Sequence, residues 1–227
     1  MKKITYIIAA ITVFTTTLST AQVNIGVKGG LNFSDAKADV FIDAVNDAPS
    51  THISYVIGAL AEIPVNQNFS FQAELLYSKK GFTINEGTSF DVFGVNVPVG
   101  AKARTTINYI ETPLLAKIKL GQGRVKIYGL AGPSIGYATS AKIQPQVTLL
   151  IDFNLPKINL DLSSSIYNRT DISGIIGGGA EYMTQTGKLF TDIRYQHSFS
   201  NIINNPIADL KVRNSGFQWT VGYSHAF

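Results

Sequence analysis

Residues 23–33, VNIGVKGGLNF, place Val23, Ile25, Val27, Leu31 and Phe33 at odd positions and Asn24, Lys28 and Asn32 at even ones. Successive side chains leave a pleated strand on opposite sides, so an apolar/polar period of two makes a strand with one greasy and one wet face. The same period returns seven more times along the chain, and that repetition limits the folds open to it.

Residues 51–63 put Ile53, Tyr55, Ile57, Ala59, Ala61 and Ile63 on one face. Residues 69–80 set Phe69, Phe71, Ala73, Leu75 and Tyr77 against Ser70, Gln72, Glu74, Ser78 and Lys80. Residues 106–120 set Ile110, Thr112, Leu114, Ala116, Ile118 and Leu120 against Tyr109, Glu111, Leu115, Lys117 and Lys119. Residues 125–139 alternate least clearly; a two-residue turn at Gln122-Gly123 directs Val125, Ile127, Ile135 and Tyr137 to the apolar face. Residues 171–183 alternate Ile172, Ile176, Ala180 and Tyr182 with Asp171, Ser173, Gly177 and Glu181. Residues 189–199 alternate Thr191, Ile193, Tyr195 and Phe199 with Asp192, Arg194, Gln196 and Ser198. The last segment, FQWTVGYSHAF, brings Phe217, Trp219, Val221, Tyr223, His225 and Phe227 to one side.

The connections between these segments alternate in length. Those at about 64–68 (PVNQN), 121–124 (GQGR) and 184–188 (TQTGK) are tight and rich in turn formers, whereas those at about 34–50, 82–104, 140–170 and 200–213 are long. Short turns on one rim, long loops on the other and an even strand count describe an all-β fold: an eight-stranded antiparallel transmembrane β-barrel with short periplasmic turns and long extracellular loops. The strands are longer than the ~9–11 residues that a tilted strand needs to cross a bilayer.

Aromatics fall into two groups along the strands. Phe69, Phe71, Tyr182, Phe190, Tyr223 and Phe227 lie near the short-turn ends; Tyr55, Tyr77, Tyr109, Tyr137, Tyr195, Phe199, Phe217 and Trp219 lie nearer the long loops. Two belts are what two membrane–water interfaces select. The competing reading is a soluble, lipocalin-like barrel with its apolar face inward. VTLLIDF (147–153) and KINLDLS (157–163) also alternate, about Asn154-Leu155-Pro156. They are either two further spanning strands, giving ten, or an extracellular hairpin above the membrane, which Asp152, Asp161, Pro145 and Pro156 favour. Residues 82–104, containing SFDVFGVNVPVG, raise the same alternative.

At the start, Lys2 and Lys3 precede a mostly apolar run from Ile4 to Leu18, followed by Ser19-Thr20-Ala21. That is the pattern of a cleaved secretory signal peptide, so residues 1–21 are expected to be a signal peptide and 22–227 the barrel domain. The formal charge of the 227-residue chain is +4, two units of which sit in that leader. With no Lys/Arg cluster, nothing points to nucleic acid. There is no cysteine, hence no disulfide frame or thiolate chemistry.

A lumen of eight strands is just wide enough for side chains to fill. The inward faces carry Glu62, Glu74, Glu111, Glu181 and Asp192 against Lys28, Lys80, Lys117, Lys126 and Arg194. Buried charges must be paired, so these are expected to form a salt-bridged plug that fixes strand register; a proton or ion path is the functional alternative. With a two-residue turn at Thr186-Gly187, Glu181 faces Asp192, a like-charge contact that Arg194 would relieve, with Lys117 or Lys126 reaching from other strands.

GVKGGLNFS, FSFQAELLYSKKG, NYIETPLLAKIKLG, YGLAGPSIGY and IIGGGAEY, in that order, resemble the PorT-like outer-membrane β-barrel family of Bacteroidetes. The resemblance runs from about Val23 to Phe227. It implies an outer-membrane barrel of a Gram-negative bacterium; most members resemble one another as barrels with no assigned activity, and the family's namesake is associated with a protein secretion apparatus. It carries over no catalytic residue. In an outer-membrane barrel the closing strand, with Trp219, Val221, Tyr223 and Phe227 on one face, also resembles the C-terminal signal read by the barrel-assembly machinery.

Enzymatic chemistry finds little support. A Ser/His/acid triad needs three groups within hydrogen-bond reach, and of three histidines His197 and His225 fall on lipid-side positions while His52 is near a loop end. Neither Gly29-Gly30 nor Gly177-Gly178-Gly179 opens a helix, as a phosphate-binding loop must. The expectation is a monomer without cofactor or metal, in contact with outer-membrane lipid, with the assembly machinery during biogenesis, and with a protein partner through its extracellular loops. Its role is structural or interactive. The alternatives are narrow-channel transport, membership of a secretion machine and, third, an outer-membrane enzyme.

Overall fold

Strand ladders turn the alternating faces into a closed surface. The computed structural model describes residues 23–38, 52–92, 95–148, 152–154, 156, 158–160, 169–200 and 212–227. The expected signal peptide lies outside the described residues. The strands are β1 (Asn24–Ala38), β2 (His52–Pro64), β3 (Phe69–Val92), β4 (Val95–Leu120), β5 (Val125–Thr148), β6 (Asp152–Asn154), β7 (Ile158–Leu160), β8 (Thr170–Met183), β9 (Gly187–Ser198) and β10 (Val212–Ala226). Each of β1 to β5 pairs antiparallel with the next, β5 pairs with β8, β8 with β9, and β9 with β10. β10 closes on β1 from Asn24↔Ala226 to Ala38↔Val212. Eight strands therefore close the barrel. The three-residue β6 and β7 pair only with the upper part of β5, so 147–163 does not add two spanning strands.

Three tight turns define one rim. Asn66 Oδ1 accepts the N–H groups of Asn68 and Phe69 at 2.9 and 2.7 Å, closing β2–β3. Gly121 and Gly123 adopt φ of 113° and 85° between β4 and β5, values that only glycine takes without strain. Between β8 and β9 the Thr184 N–H donates to Gly187 O at 2.8 Å, and the Gly187 N–H donates to Thr184 Oγ1 at 3.0 Å. This four-residue turn corrects the expected pairing: Met183 faces Lys188, so Gly179 lies opposite Asp192 and Glu181 opposite Phe190. Leu120 likewise pairs with Ile127 rather than Val125. Both offsets are two residues, and a shift of two preserves every face, whereas a shift of one would invert them.

The faces follow the alternation. Ile25, Ile57, Leu75, Leu114, Ile176 and Ile193 are among large apolar side chains at least half exposed on the outside. Inward positions such as Ser70, Ser78, Arg194 and Thr220 are almost fully buried. An apolar exterior around a charged interior is the inverse of a lipocalin and overturns that reading; a continuous apolar band of this extent needs lipid against it. Two aromatics leave the expected belts: Tyr109 and Phe190 are inward and 1% and 7% exposed. Phe190 packs with Leu60, Leu115, Tyr128, Leu130 and Ile175 in an apolar layer of the lumen. The inward glycines make room for such neighbours: a Cβ on Gly179 would meet the Tyr128 ring at 2.7 Å, and one on Gly177 would meet Arg194 Cγ at 2.9 Å.

The second rim departs most from the expected loops. β3 and β4 stay paired up to Val92↔Val95, and β4 holds β5 as far as Gly100↔Thr148. Residues 82–92, 95–104 and 140–148 are therefore strand, and form a three-stranded sheet standing on the barrel wall. From Ser78 to Val92 it runs on the order of 50 Å at about 3.3 Å per residue. β8 leaves β5 at Tyr137↔Thr170, and β7 and then β6 take its place. One bulge lies at the base of this sheet: Tyr109 faces Ala138 but Asn108 faces Ser140, so Thr139 is extra. Buried positions on β5 are even up to Ala138, and Ala141 is buried beyond it. The extra residue has exchanged the faces of the upper strand.

Candidate functional site

The lumen holds the densest chemistry in the described residues. β9 carries Asp192 and Arg194 inward two residues apart, and β3 presents Glu74 across the barrel. The Arg194 guanidinium grips Glu74 with a fork, Nη1 to Oε2 at 2.8 Å and Nη2 to Oε1 at 2.9 Å. It also donates from Nε to Asp192 Oδ1 at 2.7 Å and from Nη2 to Oδ2 at 3.0 Å. Charge-assisted bonds of this kind are the strong ones, and the planar fork fixes both carboxylates in direction. Lys28 Nζ reaches Glu74 Oε2 at 3.3 Å, while Thr220 Oγ1 and Tyr128 Oη donate to Asp192 at 2.7 and 3.0 Å. Gln72 donates to Glu74 as well.

A second cluster lies toward the turn rim. Lys117 Nζ bridges Glu62 at 3.1 Å and Glu181 at 2.8 Å, and stands 3.8 Å above the Tyr128 ring. Lys188 reaches Glu62 at 2.6 Å, and Lys119 pairs with the other Glu62 oxygen. A third cluster lies toward the opposite rim. Lys80 pairs with Glu111, which also accepts from Gln196 Nε2 at 3.2 Å, and Ser198 donates to Asp171. The buried ionisable set of the lumen is Lys28, Lys80, Lys117, Lys119, Lys188 and Arg194 against Glu62, Glu74, Glu111, Asp171, Glu181 and Asp192. Six cations match six carboxylates, so the formal charges of the buried lumen side chains cancel among the described residues.

The alternation brings Glu74, Asp192 and Arg194 together, joins Lys117 to Glu181, and places Glu111 with Lys80. Lys126 does not join: it is only half-buried at the turn rim, opposite Glu181. Lys119 and Asp171, which the alternation already puts on the inward faces, join the lumen charges as well, and Lys188 is the one that the sequence reading left in a turn. Lys188 shares the even parity of Asp192 and Arg194, which is the signal that identifies it. Its position beside a turn hides that parity, because β9 begins at Gly187.

On β10, Trp219, Val221, Tyr223 and Phe227 face outward. Trp219 Nε1–H donates to Thr191 Oγ1 at 3.1 Å, and the Phe227 N–H donates to Val23 O at 2.9 Å. His197 and His225 also face outward, among Tyr195, Phe199 and Phe227. Among the described residues no group of three or more His, Cys, Asp and Glu is arranged to hold a metal ion.

Among protein families, the one described as outer membrane protein beta-barrel domain matches residues 18–204. No curated protein matches the chain. Among solved structures, the attachment invasion locus protein Ail of Yersinia pestis is 13% identical, with 91% of this chain and 99% of that one covered and a TM-score of 0.39. OprG of Pseudomonas aeruginosa is 12% identical, with 91% and 97% covered and a TM-score of 0.43. The outer membrane protease OmpT of Escherichia coli is 9% identical, with 91% and 97% covered and a TM-score of 0.39.

Proposed function

Since the chain belongs to the outer membrane protein beta-barrel domain family, we propose that it is a closed, non-conducting outer-membrane anchor that carries an interaction surface above the membrane. The observation behind this reading is the lumen. Arg194, at 1% exposure, is spent on Glu74 and Asp192 from opposite walls, and the clusters above and below it are ion-paired in the same way. A permeant ion would have to displace a bonded partner from each cluster, at the several-kilocalorie cost of stranding a buried charge. The lumen is thus a rigid plug, and the sheet made by the upper parts of β3, β4 and β5 is the part left to meet other molecules. In this reading short turns face the periplasm and the sheet faces outside. The resemblance of GVKGGLNFS and NYIETPLLAKIKLG to the PorT-like family keeps membership of a protein secretion machine as the alternative role, with a protein as the partner of the sheet.

Planar-bilayer recording of the purified, folded protein tests the plug. No steady conductance is expected from the wild type. A stable, reproducible channel would overturn the anchor reading and put narrow-channel transport first.

A further inference from the structure

Outside the barrel, above Tyr55 and Tyr77, three cations gather on one cleft that no carboxylate lines among the described residues. Lys79 lies on β3, Arg104 on β4 and Lys142 on β5, and the outward direction of Lys142 is a product of the Thr139 bulge. On the ladders Lys79 faces Asn108, Arg104 faces Thr83 and Gln144, and Lys142 faces Thr106. None of these neighbours is acidic. None of the three cations forms an ion pair within the described residues, in contrast to every buried lysine below them. Lys79 and Arg104 are four ladder positions apart, roughly 13 Å at about 3.3 Å per residue, with Lys142 between them, so the three long side chains enter one cleft from successive heights.

They border a cleft of about 410 Å³ whose floor and lower edge include Tyr55, Tyr77 and Asn108. The two tyrosine rings are 6.3 Å apart, and Lys79 Nζ stands 5.7 Å over the Tyr55 ring. Asn108 Nδ2 donates to Ser140 Oγ at 2.8 Å, while its Oδ1 is buried and accepts no hydrogen bond among the described residues. Directly below, Ile57, Leu75 and Ile110 are exposed to the bilayer core. An outward tyrosine pair above such a band marks the membrane–water interface. The cations therefore stand at the depth where lipid phosphates lie, on the lipid side of the wall.

We propose that this cleft binds the phosphorylated sugar headgroup of a glycolipid in the leaflet at the loop rim. Lys79, Arg104 and Lys142 hold the phosphate, with guanidinium and ammonium donors matching its oxygens. The sugar's apolar face rests on Tyr55 and Tyr77. This site depends on the outer-membrane position of the barrel and not on whether its lumen conducts.

The test is native mass spectrometry and competitive retention on detergent-purified, folded protein, with a bisphosphorylated diglucosamine glycolipid as the probe. The wild type is expected to keep one glycolipid through detergent exchange. Substituting Lys79→Gln, Arg104→Gln and Lys142→Gln together weakens retention roughly a hundredfold, at about fivefold for each cation near a membrane surface. Arg104→Gln alone gives the intermediate value and serves if the triple variant does not assemble. The dephosphorylated glycolipid should bind as weakly to the wild type as the parent lipid binds to the triple variant. Equal retention by wild type and Arg104→Gln would overturn the proposal. So would equal competition by phosphatidylglycerol, which would mean a generic anionic belt, or displacement by millimolar inorganic phosphate, which would mean a site for free phosphate.

Discussion

Among the described residues six buried cations point into the barrel and three cluster outside it at the level of Tyr55 and Tyr77, and the two groups are treated in opposite ways. Inside, the lysines and Arg194 have carboxylate partners drawn from distant parts of the chain, as in Lys188 with Glu62 or Arg194 with Glu74. Outside, Lys79, Arg104 and Lys142 face only neutral residues on their ladders. The difference follows from what each group can borrow from its surroundings. A lumen packed with side chains offers no solvent or counterion, so a charge there is tolerable only with its partner built in. An interface offers water and lipid headgroups, so charge can be left open for something that is not part of the chain.

The largest effect that tests the inner half of this comparison comes from Arg194→Ala. It removes the fork on Glu74 and both bonds to Asp192, and leaves two carboxylates buried on facing walls, with Lys28 in reach of one of them. Breaking a buried pair by deleting one partner costs about 3–5 kcal/mol, which urea unfolding of the reconstituted barrel should register. A loss within about 0.5 kcal/mol, the range of an ordinary surface change, would mean that water enters the lumen and that the plug reading is wrong.

Lys28→Met is the graded form of the same test. Lys28 gives Glu74 one bond at 3.3 Å, and Arg194 still holds that carboxylate by two. The methionine fills most of the lysine stem, so the loss is that of one charge-assisted bond, about 1.5–3 kcal/mol. The ranking is the content of the prediction: Lys28→Met should cost less than Arg194→Ala in the same unfolding series. A reversed order would mean that Lys28, and not Arg194, is the hub of the cluster.

The inner group was the more legible of the two in the sequence. Period two assigns faces without knowledge of register, so Glu74, Asp192 and Arg194 fall inward whether the β8–β9 turn has two residues or four. Register itself was not legible, because TQTGK accommodates either turn; hence Glu181 pairs across from Phe190 and not Asp192. The outer group was hidden for a different reason. Residues 82–92, 95–104 and 140–148 are strand, and the sequence left open whether 82–104 forms a hairpin above the membrane or a loop, because its pattern alone does not fix which partner it pairs with. One unpaired residue, Thr139, then exchanges the faces above it, and nothing in SAKIQPQ announces the exchange. A bulge is a property of two strands at once, which a single segment's periodicity cannot reveal.

The smallest effect makes the comparison sharpest. Lys79, Arg104 and Lys142 should be nearly dispensable for the fold, because no described carboxylate depends on them. Replacing all three with glutamine removes three charges, as many as Lys28, Lys117 and Arg194 together carry inside. Surface changes of this kind typically stay within about 0.5 kcal/mol each, and removing mutual repulsion offsets part of that. In detergent free of phosphorylated lipid, the urea midpoint of the triple variant should therefore lie close to that of the wild type. When the bisphosphorylated glycolipid is added, the wild type should gain stability by ligand linkage and the triple variant should not. A large loss in lipid-free detergent would show that the outer cations are structural after all, and would erase the distinction between the two groups.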